Sequence, residues 1–173
     1  MSSLANNYNR RKLSFKYGKG SFLYTNRKKY LDFVQGIAVN SLGHSNPHLI
    51  KALNNQAKKV WHISNAFEIP EAEKLAKKLT QKTFADKVMF QNSGAEATEA
   101  AIKAAKRYFY SIGQPQKNRI LCVKNSFHGR TLATIFASSS KKMIEGFGPK
   151  IDGFDHFNFG DHKSLKKTIT NKT

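Results

Sequence analysis

The sequence has few of the features that mark a secreted or membrane protein. It contains one cysteine, Cys122, in 173 residues, so no intramolecular disulfide can form. No apolar run approaches the roughly 18 residues that a membrane span requires. The first residues, MSSLANNYNRRKLSF, have no apolar stretch behind their charges and do not resemble a secretory signal. These absences predict a cytoplasmic protein with no membrane partner.

Acidic residues are also scarce, since 11 Asp+Glu stand against 30 Lys+Arg and the formal net charge is +19. Such a charge is compatible with nucleic-acid binding, because phosphates favour clustered basic side chains. However, 24 of the basic residues are lysines and most are dispersed, whereas readers of bases and phosphates favour arginine. We expect mainly solvated lysines. The basic and aromatic segment 9–24 keeps a nucleic-acid-binding protein as the alternative of a different class.

The hydrophobic pattern divides the chain into two parts, 1–85 and 86–173. In the first part, apolar runs on both sides of residues 25–28 predict a hairpin, and helices are predicted after Asn46-Pro47 and after Pro70. The second part alternates strands and helices, which is typical of a parallel α/β sheet. Its strands are predicted at 87–91, 119–123 and 154–159, and its helices at 95–110, 131–137 and 164–169.

The segment Asn92-Ser93-Gly94-Ala95-Glu96 joins the first of these strands to the long helix. A turn of small residues at a helix start leaves backbone N–H groups free for an anion, and Gly94 and Ala95 leave room for a phosphate. Ser93 and Glu96 also have the spacing of a capping box, which needs no ligand. The segment is neither a Walker loop nor a GxGxxG fingerprint, so its spacing leaves both interpretations open.

A second candidate motif, Ser126-Phe127-His128-Gly129-Arg130-Thr131, follows the predicted strand 119–123. Phe127 is suited to stack on a flat ring and Arg130 to bind a carboxylate through two hydrogen bonds. Taken singly, a phenylalanine is more often core and an arginine more often a solvated surface residue. Because functional groups gather at the carboxyl ends of parallel strands, we expect this motif and the turn at Gly94 to share one crevice.

Longer stretches around these motifs resemble the class III pyridoxal-phosphate-dependent aminotransferases. The resemblance rests on FQNSGAEATEAAIK at 90–103, FHGRT at 127–131, and YLDF and GIAVNSLGH between 30 and 44. HISN at 62–65, IPE at 69–71, GFGPK at 146–150 and GFD at 153–155 are similar to the subgroup that acts on acetylornithine. Similarity begins at about residue 13 and continues through the chain.

The resemblance implies an α/β fold of type I, with 1–85 as the N-terminal lobe and 86–173 as the first part of the large domain, which binds pyridoxal 5'-phosphate. Gly94 and Ala95 would bind the cofactor phosphate through backbone N–H groups, Phe127 would lie against its ring, and Arg130 would hold the substrate α-carboxylate. The implied reaction, in arginine biosynthesis, transfers the terminal amino group of N2-acetyl-L-ornithine to 2-oxoglutarate, giving glutamate, in a homodimer. The alternative within the family is an enzyme for ornithine, succinylornithine or an ω-amino acid.

The chain departs from the family in length. Family members are more than twice as long, and their Schiff-base lysine lies in the part that would follow residue 173. None of the 24 lysines stands in the motif of that lysine. The resemblance therefore implies an N-terminal fragment with an incomplete large domain, and it predicts that the 173 residues alone have no transaminase activity. No metal site is predicted.

Overall fold

The structure is a computed structural model that describes residues 3–173. Met1 and Ser2, the first residues of the predicted N-terminal lobe, lie outside the described residues. The chain divides into two compact units, Met1–Glu71 and Ala72–Thr173. The change in sequence pattern places a boundary at 85/86 instead, and that boundary between functional lobes stays a prediction.

The first unit contains a three-stranded antiparallel sheet. Its strands, in the spatial order β1-β2-β3, are β1 (Tyr17–Lys19), β2 (Phe22–Tyr24) and β3 (Lys29–Leu31). The Thr25 N–H donates to the Lys28 carbonyl at 2.9 Å, and the Thr25 hydroxyl accepts from the Lys28 N–H at 2.9 Å. The predicted hairpin is confirmed. Strand β1 was not predicted because Gly18 interrupts its pattern. A Cβ there would lie 2.5 Å from Cγ of His44, so the close approach requires glycine.

A left-handed turn, α1 (Gln35–Ala38), follows the sheet. A residue with a Cβ is unfavourable in this conformation by about 1–2 kcal/mol, and Ile37 adopts it with φ 66°. Asp32 supports the turn, since its Oδ1 accepts from the Gln35 N–H at 3.0 Å and its Oδ2 lies 2.7 Å from Nε2 of His44. The hydrogen bond from the Gln35 backbone, and then that from His44, lower the pKa of Asp32.

Helix α2 (Pro47–Ala57) begins where the sequence predicts it. The Asn46 side chain accepts from the N–H of His48 at 3.0 Å, which is the usual bond of an N-cap residue. The predicted apolar face of this helix stays uncovered within the described chain, and Leu53 is 69% exposed. The local signals therefore specify the helix but not what it packs against.

The second unit carries the α/β pattern. From Pro70 onward the elements are α3 (Pro70–Thr80), α4 (Gly94–Ser111), β4 (Ile120–Val123), α5 (Leu132–Ser138), α6 (Lys141–Ile144), β5 (Phe154–Phe157) and α7 (His162–Thr168). Strands β4 and β5 pair in parallel, in register from Ile120 opposite Phe154 to Val123 opposite Phe157. The strand and helix bounds predicted after residue 94 agree with the structure within two residues, and α6 was not predicted.

The prediction of a strand at 87–91 is wrong for this structure, which forms no strand there. A strand is defined by a hydrogen-bonded neighbour, and in residues 3–173 the only parallel ladder joins β4 to β5. Met89 in this segment is 70% exposed and therefore lacks a covering layer as well. An apolar run alone provides neither a neighbouring strand nor a covering layer.

The core lies between α5 and the two parallel strands. Its buried apolar residues are Cys122 in β4, Ile135, Phe136 and Ala137 in α5, and Phe154 in β5. Burial raises the pKa of the Cys122 thiol. Helix α5 is thus packed against the sheet along most of its length, and the loop 124–131 leads directly into it. No helix within residues 3–173 is long and apolar enough to span a bilayer.

Candidate active site

The loop after β4 is fastened to the core from both sides. The Ser126 hydroxyl donates to the Val123 carbonyl at 2.6 Å and lies 2.8 Å from Nε2 of His128. The Ser126 carbonyl in turn accepts from the buried hydroxyl of Ser138 at 2.5 Å. These bonds connect Ser126 to the end of β4 and to α5.

Phe127 and Arg130 project from this fastened loop. Phe127 is 69% exposed, so the interpretation of this residue as core is wrong. The Arg130 guanidinium carbon lies 5.7 Å from the centroid of the Phe127 ring, within the range of a cation–π contact. Arg130 is exposed, and no carboxylate in the described chain forms an ion pair with it. Both side chains are therefore available to a ligand.

The turn before α4 is only partly a capping box. Ser93 is the N-cap: its Oγ accepts from the Glu96 N–H at 3.2 Å. The Glu96 carboxylate accepts from the Ser93 hydroxyl at 3.4 Å rather than from the Ser93 backbone. The cap thus leaves the N–H groups of Gly94 and Ala95 without an acceptor among residues 3–173. Two free donors at the positive end of an 18-residue helix favour an anion.

Gly94 leaves open space beside these donors. A Cβ at this position would meet no atom within 4 Å, and the backbone is not in a conformation that demands glycine. Neither packing nor backbone strain therefore explains glycine here. A missing Cβ does allow a phosphate to approach the helix start closely. The residues present fit a phosphate-bearing cofactor at this turn.

The two motifs contact each other, while the predicted crevice shared by both stays a prediction. Gly129 is buried with φ 128°, and a Cβ there would lie 2.7 Å from Cβ of Ala95. The Thr131 hydroxyl donates to Oε1 of Glu99, in the second turn of α4, at 2.5 Å. Gly94 itself has no hydrogen bond or ring contact with Phe127 or Arg130 in the part of the chain that the structure describes.

Sequence reasoning assigned no role to Glu99, although it lies in the quoted motif. Its partner Thr131 is 32 residues away, and no periodicity or spacing connects the two positions. The only available signal was that both residues lie within the two motifs. Their contact had to come from the tertiary structure.

Comparison with known proteins supports the family that these motifs resemble. The family described as aminotransferase class III matches residues 3–172. An acetylornithine aminotransferase of Agrobacterium fabrum is 56% identical over 171 residues, which cover 98% of this chain and 43% of that protein. A succinylornithine transaminase/acetylornithine aminotransferase of Pseudomonas aeruginosa is 47% identical over 157 residues, 90% of this chain and 39% of that protein.

A solved structure resembles the fold over nearly the whole chain. An ornithine aminotransferase of Toxoplasma gondii, described with partial occupancy of pyridoxal phosphate at its active site, superposes with a TM-score of 0.88. It is 27% identical, and the match covers 95% of this chain and 39% of that chain. The α/β fold is thus that of the type I aminotransferases. The chain spans about 43% of the length of the curated relatives it matches, and it belongs to the class III aminotransferases.

Proposed function

We propose that the protein containing these residues is a pyridoxal-phosphate-dependent acetylornithine aminotransferase of arginine biosynthesis. It transfers the terminal amino group of N2-acetyl-L-ornithine to 2-oxoglutarate and releases glutamate. The observation that carries the proposal is the contact between Ala95 and Gly129. It joins the turn with the free N–H groups of Gly94 and Ala95 to the loop that exposes Phe127 and Arg130. The names of the similar proteins support acetylornithine as the amino donor.

Three parts of the chain bind the cofactor and substrate in this proposal. The N–H groups of Gly94 and Ala95 hold the cofactor phosphate, assisted by the dipole of α4. The exposed face of Phe127 packs on the cofactor ring and orients it. When bound, pyridoxal phosphate supplies an electron sink for bond changes at the carbon that carries the amino group.

Arg130 gives the site its selectivity for α-amino acid derivatives. A guanidinium binds a carboxylate through two parallel charge-assisted hydrogen bonds. Acetylornithine keeps its α-carboxylate while the reacting amino group is at the other end of the molecule. Binding the carboxylate at Arg130 therefore fixes which end of the substrate reaches the cofactor.

Several properties of the whole protein belong to the same proposal. The lysine that holds the cofactor is expected outside the 173 residues, so this chain alone would have no transaminase activity. The complete enzyme would act in the cytoplasm as a homodimer. Most of the 30 basic residues are lysines, which suits solvated surfaces better than a nucleic-acid interface.

A substrate panel tests the proposed function. The polypeptide encoded by the complete reading frame that includes these residues is purified with pyridoxal phosphate and supplied with 2-oxoglutarate. Acetylornithine is expected to give the highest kcat/KM, above ornithine, succinylornithine and 4-aminobutyrate. A higher value for one of the other three donors would replace the proposal with another class III activity. Absence of aminotransfer, with nucleic-acid binding that persists at physiological salt, would favour the alternative class.

A further inference from the structure

We propose that Glu99 and Thr131, together with Ala95 and Gly129, form a clasp that fixes the phosphate-binding turn relative to the loop carrying Phe127 and Arg130. The inference rests on the proposed function and extends it. It assigns Glu99 and Thr131 as positioning residues, which act through the N–H groups of the turn and do not touch the substrate.

The first element of the clasp is a hydrogen bond between distant segments. The Thr131 hydroxyl donates to the Glu99 carboxylate at 2.5 Å across 32 residues of sequence. Glu99 follows Gly94 by five positions, so it lies about 7.5 Å further along the helix axis at 1.5 Å per residue. The bond therefore attaches α4 at a point separate from the turn itself.

The second element is the contact of Ala95 with Gly129. A Cβ on Gly129 would lie 2.7 Å from Cβ of Ala95 and 3.0 Å from Oγ1 of Thr134, so no side chain fits between them. The contact lies at the first turn of α4 and the hydrogen bond at its second turn. Two attachments at different heights fix the helix direction, whereas either alone would leave a pivot.

The clasp is anchored on the core side. Thr131 is the N-cap of α5, where its Oγ1 accepts from the Thr134 N–H at 3.4 Å and lies 3.0 Å from Oγ1 of Thr134. Thr134 is completely buried, and α5 contributes most of the core. Glu99 therefore connects α4 to the buried core of the second unit.

A fixed separation has a direct consequence for cofactor binding. The phosphate is held at the start of α4 and the ring at Phe127, so one ligand has to reach both places at once. If the two segments move independently, binding must first order them, and affinity falls by that cost. The clasp is expected to act on cofactor affinity without any contact between Glu99 and the cofactor.

The test uses the protein encoded by the complete reading frame and two readouts. One is the Kd for pyridoxal phosphate, measured by titrating the cofactor-free protein. The other is amide hydrogen exchange of residues 94–97 and 126–131 in that cofactor-free protein. The variants are Glu99→Ala, Glu99→Gln, Thr131→Val, Thr131→Ser and the double variant Glu99→Ala with Thr131→Val. Glu73→Ala, which removes an exposed carboxylate from α3, is the matched control.

Glu99→Ala is expected to raise the Kd about tenfold, as for loss of one charge-assisted hydrogen bond, and to speed exchange in both segments. Thr131→Ser keeps the donor, so its Kd should stay near that of the unsubstituted protein, and Glu99→Gln keeps an uncharged acceptor, so its Kd should lie between those of the unsubstituted protein and Glu99→Ala. The Kd of the double variant should not exceed the higher of the two single-variant Kd values, because each single variant already breaks the same bond.

The clasp is overturned if Glu99→Ala matches Glu73→Ala in both readouts, or if Glu99→Ala and Thr131→Val have additive effects. If Glu99→Ala does not fold, Thr131→Val against Thr131→Ser gives the same comparison, and equal Kd values overturn the clasp. Failure of the unsubstituted protein to bind pyridoxal phosphate overturns the proposed function instead. In that case the clasp is still tested by amide hydrogen exchange in the cofactor-free protein, and rates in Glu99→Ala equal to those of the unsubstituted protein would overturn it.

Discussion

The two ends of the β4–β5 pair differ in where their charged groups find partners. At the amino ends, Arg119 forms hydrogen bonds to Asp155 at 2.6 and 2.8 Å and contacts Asp152 at 3.2 Å. Beyond the carboxyl end of β4, Arg130 is exposed beside Phe127 and lacks an ion pair in residues 3–173. Arg119 thus forms ion pairs within the chain, and Arg130 is the arginine to which we assign a ligand in the proposal.

Both arginines lie close to the same short sheet, so their setting separates the two roles. The bond to Asp155 raises the pKa of Arg119, and the same bond lowers the pKa of Asp155. Asp155 lies within β5 and belongs to the fold, whereas Arg130 lies over the exposed Phe127 ring and forms no ion pair among the described residues. Parallel sheets commonly keep binding groups at the carboxyl ends of their strands and stabilising groups at the amino ends. The following predictions test that division, beginning with the largest effect.

Arg130→Gln should raise KM for acetylornithine about a hundredfold while the Kd for pyridoxal phosphate stays within about twofold. The reason is the loss of a bidentate charge-assisted contact to the α-carboxylate, which is worth about 2–3 kcal/mol. Steady-state kinetics of the protein from the complete reading frame measure it. Arg107→Gln is the control, because Arg107 also lies over an aromatic ring, 5.3 Å from the centroid of Tyr110. Equal KM values for the two variants would remove Arg130 from the site.

Arg119→Leu should weaken the fold instead of the binding. It leaves Asp155 without its partner, and we expect about 2 kcal/mol of lost local stability, or about thirtyfold faster amide exchange in β4 and β5. The Kd for pyridoxal phosphate should change little. Asp152→Asn is the control, since the Asp152 side chain is 82% exposed and its ion pair contributes little. Thirtyfold weaker cofactor binding with unchanged exchange would contradict the division between the two ends.

The parts of the fold that sequence predicts are those set by neighbouring residues. Asn46 caps α2 through an N–H two positions away, and Thr25 closes its turn through Lys28. The same reasoning failed at 87–91, where a strand depends on a partner distant in sequence. An apolar run specifies that a segment can pair, and it does not specify whether a neighbour is present.

In the candidate site, too, the sequence predicts the local features and misses those that depend on tertiary contacts. The helix start with Ser93 as its cap was predictable because a cap is local, whereas phosphate binding at Gly94 and Ala95 stays a prediction. The exposure of Phe127 reverses its most common role and depends on how Ser126 and Ser138 fasten the loop. A contact between residues 12 positions apart decided this feature, and composition and spacing carry no record of such a contact.

Phe127→Ala should weaken pyridoxal phosphate binding by about tenfold, which is smaller than the effect of Arg130→Gln on substrate. The expected loss is that of one ring-stacking contact and its buried area, about 1–1.5 kcal/mol. Titration of the cofactor-free protein measures the Kd. The control is Phe159→Ala, because Phe159 follows β5 and is 88% exposed but lies in neither motif. If Phe159→Ala weakens binding as much as Phe127→Ala, exposure alone does not identify the ring contact.

The smallest expected effect is a pH dependence confined to the Arg119 end of the sheet. The hydrogen bond from Arg119 lowers the pKa of Asp155, so the contribution of the pair to stability is complete only well above the unfolded pKa of about 3.9. That stability is lost as the pH falls through the lower pKa of the folded state, with the loss beginning near pH 5.

Rate-corrected amide protection in β4 and β5, measured from pH 7 to pH 4, should fall more in the unsubstituted protein than in Arg119→Leu. The gap between the two proteins should therefore narrow on acidification, while in Arg130→Gln the fall should match that of the unsubstituted protein. A constant gap would mean that Arg119 stabilises the sheet by packing its aliphatic part, and that the difference between the two ends is not one of charge pairing.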